Sequence, residues 1–324
     1  MCTAVTYKTK DHYFGRNLDL SYSYDETVTV TPRNYPFYFR KVRTMTNHYA
    51  MIGMAYVVGD YPLYYDATNE KGLSMAGLNF PGNAHYRPEM QGKDNVATFE
   101  LIPWILGQCV NVDEVKALLG HINIWDENFK PGWPAATLHW MISDREKSIV
   151  VEPVRDGLKI YDNPAGVLTN NPPFDFQMYY LSNFMNVTAR EAVNQFSKEL
   201  KLEPYCLGMG GMGLPGDLSS SSRFVKAAFT KLNSVSGNSE SESISQFFHI
   251  LGSVSQQRGC VRTEGGQYEM TIYTSCCNTD RGIYYYKTYE NSQITGVDMY
   301  KENLEGRCLV SYPLIQGQQM KMQN

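Results

Sequence analysis

The sequence predicts an α+β fold in which stacked antiparallel sheets carry helices on their outer faces. Three observations on the 324-residue chain carry this expectation. Strand-like runs come in clusters joined by short polar turns. Helical patterns come in separate blocks between those clusters, not one after each strand, which argues against a doubly wound parallel sheet. No Pro/Gly/Ser linker cuts the chain and no internal repeat divides it, so a single domain over residues 1–324 is expected.

Roughly the first 80 residues read as β-rich by their alternation. The turn Lys8-Thr9-Lys10-Asp11-His12 has the length of a hairpin, Val28–Thr31 alternates, and Tyr49–Tyr56 is a buried-strand type of run. A helical block follows at Phe99–Leu106, with Pro103 placed in an early turn or kink. Asn111 with Glu114 three residues on is an N-cap signature leading into Val115–Leu119. Thr137–Ile142 and Ser148–Glu152 flank the polar turn Ser143–Lys147 as a hairpin, which Gly157–Tyr161 extends. Thr188–Glu191 repeats the capping-box pattern and predicts the start of a second helical block, with further helices over Arg223–Leu232 and Ile244–Val254. Met270–Thr274 and Gly282–Tyr289, joined through Asn278–Arg281, return to strand. The tyrosine runs at 64–65, 179–180 and 284–286 read as strand and interface residues.

Composition excludes several functions. The chain is 43% hydrophobic and 19% charged with a net charge of −4, without the clustered Lys/Arg of a nucleic-acid footprint. No run has the length of a membrane span, and Met1–Lys8 lacks the basic and apolar regions of a signal peptide, so a cytoplasmic protein is expected. The seven cysteines lack C-x-x-C spacing and read as reduced thiols; the six histidines are scattered, and neither a metal nor a cofactor is implied. Gly208–Gly213 formally matches a dinucleotide fingerprint, but Leu214-Pro215-Gly216-Asp217 follows in place of a helix, which marks a loop. Ser219–Ser222 lacks the G-x-S-x-G context of a serine hydrolase.

The most informative residue is Cys2. Removal of the initiator methionine before a small residue would place a thiol and a free α-amine on one residue, in a mature chain 2–324. Such an amine titrates near ~8 and a thiol near ~8.5, a matched base and nucleophile that need no histidine. Phe14-Gly15-Arg16-Asn17-Leu18-Asp19 lies one hairpin away. A guanidinium there can stabilise the thiolate and a carboxylate can orient the amine; a surface Arg–Asp pair would show the same spacing. Asn79, among small residues in Ala76-Gly77-Leu78-Asn79-Phe80, could donate to an oxyanion or merely cap a turn. Val167-Leu168-Thr169-Asn170-Asn171-Pro172 could equally be a strand end stopped by proline.

Taken together, these segments resemble the choloylglycine hydrolases, the bile salt hydrolases and their penicillin V acylase relatives. The match runs through Met1-Cys2-Thr3-Ala4, the Phe14–Asp19 and Ala76–Phe80 segments, Asn69-Glu70-Lys71-Gly72-Leu73, Leu138-His139-Trp140, Val167–Pro172, Leu214–Asp217 and Ser222-Arg223-Phe224. It continues through Gln246–Leu251 and Tyr289-Glu290-Asn291, and is most similar to bile salt hydrolases of Gram-positive gut bacteria. The resemblance implies an N-terminal-nucleophile (Ntn) hydrolase with a four-layer αββα sandwich, assembled as a homotetramer. It implies Cys2 as nucleophile and base, Arg16 and Asp19 as its supporting pair, Asn79 and Asn170 as polar groups near the oxyanion, and Arg223 as a second arginine. Leu18, Tyr24 and Tyr65 are candidate liners of an apolar substrate mouth. The implied substrates are glycine- or taurine-conjugated bile salts. Penicillin V acylase is the nearest alternative, though Asn79 stands where those enzymes often carry Tyr; a non-catalytic bile-salt-binding relative is a third reading. The chain departs from the family pattern at Ser74, often Gly, and in the Leu207–Gly213 loop, commonly begun by Ser-Arg-Gly.

Overall fold

A computed structural model describes residues 1–324. Strands β1 (Cys2–Lys8), β2 (His12–Leu20), β3 (Thr27–Thr31), β4 (Met51–Val58), β5 (Tyr61–Asn69), β6 (Ser74–Asn79) and β7 (Asp94–Ala97) precede helices α1 (Leu101–Leu106) and α2 (Val112–Leu119). Next come β8 (Ile122–Trp125), β9 (Leu138–Ser143), β10 (Ser148–Val154), β11 (Gly157–Asp162) and β12 (Val167–Leu168). Helices α3 (Phe174–Leu181), α4 (Ser220–Asn233) and α5 (Glu240–Gly252) follow. Strands β13 (Val261–Arg262), β14 (Tyr268–Asn278), β15 (Ile283–Thr288), β16 (Thr295–Asp298) and β17 (Val310–Pro313) end the fold.

One sheet runs β12-β1-β2-β14-β15-β16 with β13 paired to β14; the other runs β11-β10-β9-β6-β5-β4-β3-β17. Every pairing within them is antiparallel, and the parallel pair β7–β8 stands apart. Alternating side chains decide what each face meets. On the second sheet Ile52, Met54, Ala76, Leu78 and Met141 join the core between the sheets, while their neighbours Met51, Met75, Ile142 and Val151 pack under α1 and α2. The first sheet carries α4 and α5 through Phe224, Ala228, Phe247 and Leu251. Each such large apolar side chain contributes roughly 1.5–3 kcal/mol on burial. The α/β/β/α layering expected from the sequence is therefore present.

Most boundaries follow local chemistry. Asn111 Oδ1 accepts from the Glu114 amide at 2.9 Å to start α2, and Pro103 sits in the first turn of α1, where its missing N–H costs nothing. The helix expected to begin at Thr188–Glu191 is absent. Thr188 Oγ1 instead accepts from Arg190 N, and Asn194 Oδ1 accepts from Phe196 N, local side-chain bonds that compete with helix. The apolar face a helix would have carried stays outside, with Val193 and Phe196 both exposed. The helix in that part of the chain lies earlier, as α3. Gly208–Gly213 forms a tight turn with a 3₁₀ segment at Met209–Gly211, and no helix follows it before Ser220. Ser74 is buried and its hydroxyl pairs with Thr68 Oγ1 at 2.8 Å, so the departure from glycine is accommodated within the hairpin.

Candidate active site

Strand β2 is central in the first sheet, with β1 and β14 as neighbours, and its two faces look into different layers. Arg16 points to the second sheet: its Nη1 donates to the Tyr65 carbonyl at 3.1 Å and to the Gly77 carbonyl at 2.5 Å. Asn17 points to the helices, donating to Leu251 O of α5 at 2.9 Å and accepting from Thr274 Oγ1. Asp19, on the same face as Asn17, lies 3.8 Å from Arg223 Nη1 of α4. Cys2 pairs with Leu18 across the β1–β2 ladder, at the end of the strand where these two environments meet.

Cys2, Arg16, Asp19, Asn170 and Arg223 are all buried, which removes the surface-pair reading of Arg16 and Asp19. Asn170 Oδ1 accepts from the Cys2 backbone nitrogen at 2.7 Å and from Arg223 Nη2 at 2.9 Å. Its Nδ2 is committed to the Asn79 carbonyl at 2.7 Å. Asn170 thus uses both ends of its amide inside the chain, joining the Cys2 nitrogen to the end of β6. Arg223 donates through Nη1 to the Cys2 carbonyl and to Thr3 Oγ1, and through Nε to Leu218 O at 3.0 Å. Asn79 itself is exposed. Its Oδ1 accepts from Thr137 Oγ1 at 3.2 Å, which leaves Nδ2 as the donor the chain does not use.

Burial pushes the Asp19 carboxyl above the ordinary carboxylate range, opposed first by Arg223 and then by the terminal amine. Asp19 Oδ1 accepts from Thr271 Oγ1 at 2.7 Å, while Oδ2 has no hydrogen-bond partner. The α-amine here belongs to Met1 and donates to the Asp19 backbone carbonyl at 2.7 Å and to Glu269 Oε1. Burial holds it below the usual value for an amine, against the neighbouring Cys2 and Asp19, which favour the charged form.

Two irregularities shape this region. The β14–β2 register shifts between Thr271 and Tyr273, and the β4–β5 register shifts between Met54 and Ala55, opposite Tyr64–Asp66. Such bulges re-aim side chains beside functional sites. The second places Tyr64 and Tyr65 on the wall of a cavity of about 400 Å³, whose floor carries Cys2, Arg16, Gly77 and Asn79. Leu18, Tyr24 and Tyr65, the three liners expected from the sequence, all line it. Tyr56, Phe129, Trp133 and Leu138 line it too; Tyr56 and Leu138 were expected as strand residues without a role at a cavity, and the segment carrying Phe129 and Trp133 showed no periodic or motif signal. Tyr64 and Tyr65 are therefore more than strand residues. Also missed were Thr271 and Asn17, polar residues inside strands whose roles emerge only when β14 pairs with β2.

The arrangement offers a buried thiol beside a guanidinium, an unused amide donor, and a largely apolar mouth above them. That suits nucleophilic attack on an amide joined to a bulky apolar acyl group. Comparison with known proteins agrees. Residues 2–312 match the model of linear amide C–N hydrolases, choloylglycine hydrolase family. The chain is 55% identical over 97% of both sequences to a bile salt hydrolase/transferase of Lactiplantibacillus plantarum, and 40% identical over 96% of both to one of Clostridium perfringens. Its structure is similar, at a TM-score of 0.92 and 38% identity over the whole of both chains, to the crystal structure of the C2A mutant of conjugated bile acid hydrolase from Clostridium perfringens. The fold is also that of a penicillin V acylase from Agrobacterium tumefaciens, at a TM-score of 0.77 and 21% identity. The chain belongs to the choloylglycine hydrolase family of linear amide C–N hydrolases.

Proposed function

We propose that the protein is a bile salt hydrolase, cleaving the amide of glycine- or taurine-conjugated bile salts through a thioester on Cys2. The observation that carries this reading is the placement of Cys2 beside Arg16 on the floor of a predominantly apolar cavity. Removal of Met1 converts the Cys2 nitrogen into the α-amine, with Asn170 Oδ1 already 2.7 Å away to orient it. The Cys2 sulfur gives its proton to that amine and attacks the amide carbonyl carbon. Asn79 Nδ2 donates to the oxyanion of the tetrahedral intermediate, a contact whose loss typically raises the barrier by about 2.7–4 kcal/mol. Collapse breaks the C–N bond as the amine's proton passes to the leaving glycine or taurine. Water, deprotonated by the same amine, then hydrolyses the thioester and frees the bile acid. Arg16 supports the thiolate. Arg223 and Asn170 brace the Cys2 peptide, and Asp19 acts through Arg223 and the amine.

The steroid would lie against Leu18, Tyr24 and Tyr65, with Phe129 and Trp133 closing the mouth. An amine in place of water would give amino-acid transfer as a side reaction. Cytoplasmic residence and a homotetramer are part of the same reading; no helix is long and apolar enough to cross a membrane. The test is release of glycine or taurine from a panel of conjugates, compared with penicillin V. Preferred turnover of penicillin V, or bile-salt binding without turnover in a processed chain, would overturn it.

A further inference from the structure

Arg16 is a fully buried guanidinium whose Nη2 has no hydrogen-bond partner and which makes no direct ion pair. A carboxylate is nonetheless buried near it on the opposite sheet, outside the cavity. Asp66 of β5 is buried, one residue beyond Tyr65, whose carbonyl receives Arg16 Nη1. Its Oδ1 accepts from Tyr273 OH at 2.8 Å; its Oδ2 accepts from Tyr284 OH at 2.7 Å and Ser275 Oγ at 3.3 Å. Ser275 Oγ in turn accepts from the Arg16 backbone N–H at 3.1 Å, so its own proton is directed to Asp66. Strands β14 and β15 of one sheet are thereby bolted to β5 of the other through a carboxylate that three hydroxyls address. Burial raises the Asp66 carboxyl above its ordinary range, and Arg16 with the three hydroxyl donors works against that by favouring the charged form.

We propose that Asp66 is a positioning residue of the Cys2 site, the buried counter-charge of Arg16 that limits how strongly the guanidinium stabilises the Cys2 thiolate. The proposal rests on Cys2 being the nucleophile. Burial opposes charge on both partners, yet Arg16 is held above its ordinary value by Cys2, Tyr273, Asp66 and Tyr284, while burial raises Asp66 against Arg16 and the three hydroxyls. Arg16 therefore answers to two anions, the thiolate and Asp66. The other groups around Cys2 are Arg223 of α4, Asp19 of β2 and the terminal amine; Tyr65 of β5 faces Arg16, and Cys277 of β14 faces Asp66. Too strong a pull on the sulfur would make a stable thiolate but a poorer nucleophile, since nucleophilicity falls with thiol basicity.

The proposal is tested by the pH dependence of iodoacetamide alkylation at Cys2, read by mass spectrometry of the N-terminal peptide in the processed protein. In Asp66→Asn the midpoint should fall by roughly one pH unit, since a nearby charge moves a titration by about 1–3 units. KM should change little, because Asp66 does not line the cavity. If Asp66→Asn does not fold, Tyr273→Phe/Tyr284→Phe keeps the packing and strips both phenol donors. The buried carboxyl then takes up a proton, and the midpoint should fall likewise. A midpoint that stays at the native value, or rises, in the folded variant overturns the proposal. Loss of hydrolysis in Cys2→Ala is scored separately: its absence would sink the nucleophile assignment itself, whatever Asp66→Asn does.

Discussion

At the residue scale, the proposed site is spread across the two faces and the end of a hairpin. Asn79 is the cleanest probe, because it is exposed and its amide nitrogen serves no partner in the chain. Asn79→Ala should lower kcat about 10²–10³-fold, with little change in melting temperature. Single-turnover kinetics and thermal unfolding check the two halves; an intact kcat would remove Asn79 from the oxyanion site. The amine makes a second prediction. It must be neutral to take the thiol proton; burial holds the Met1 amine below its ordinary value near ~8, and the Cys2 amine freed by cleavage, on a buried residue, is expected to move in the same direction. The acid limb of kcat/KM should therefore lie below that value, with the rate rising as pH climbs through it. A limb above ~8 would mean that the charged form is favoured instead. That Cys2, Arg16, Asp19, Asn79, Asn170 and Arg223 gather around one end of the hairpin was expected from resemblance and spacing, and they lie together there. Their division of labour was not legible: that Asn170 spends its NH2 on Asn79 O depends on β6 and the segment after β12 meeting, 91 positions apart.

At the scale of elements, local chemistry announces itself and tertiary chemistry does not. The N-caps of α2 and α5 each lie within four consecutive residues; that of α2 was read from the sequence, whereas α5 was expected only from Ile244 and starts at Glu240 behind its Ser239 cap. Helix α3 was not legible, because its cap is remote: Phe174 N donates to the Glu152 carboxylate of β10, which His139 holds from the other side at 2.9 Å. Conversely, Thr188–Glu191 has the local signature and no surface to receive the helix. The β2–β14 contact makes a further prediction. A Cβ on Gly15 would fall 2.1 Å from Ser275 O, within backbone that cannot yield cheaply. Gly15→Ala should destabilise by about 1–3 kcal/mol and displace Ser275 from Arg16. Urea unfolding measures the first; an unchanged midpoint would mean that the strands separate freely.

Across the whole molecule, antiparallel sheets with helices on their outer faces were legible because hairpin clusters and helix blocks are separate in the sequence, and the four-layer count came from the family resemblance; the short strands β7, β8, β13, β16 and β17 carry too few residues to show a period. The layered core also has a titratable weak point far from Cys2. His12, at the start of β2, is buried and pushed down to about 4, first by burial. The unfolded chain binds this proton near pH 6.5 and the folded chain only near 4, so stability is lost as pH falls between those values, by roughly 3 kcal/mol. In His12→Gln the loss of stability between pH 7 and pH 4 should shrink by about that amount on chemical denaturation; an equal loss in both proteins would assign acid sensitivity elsewhere. The central claim is that Cys2, once freed of Met1, forms a thioester with the bile acid. Intact and peptide mass spectrometry of the enzyme quenched during turnover of a taurine conjugate tests it directly. The account predicts a chain beginning at Cys2, with a bile-acyl adduct on that residue that decays as free bile acid appears. Turnover by a chain that retains Met1, or an adduct on any other residue, would contradict it.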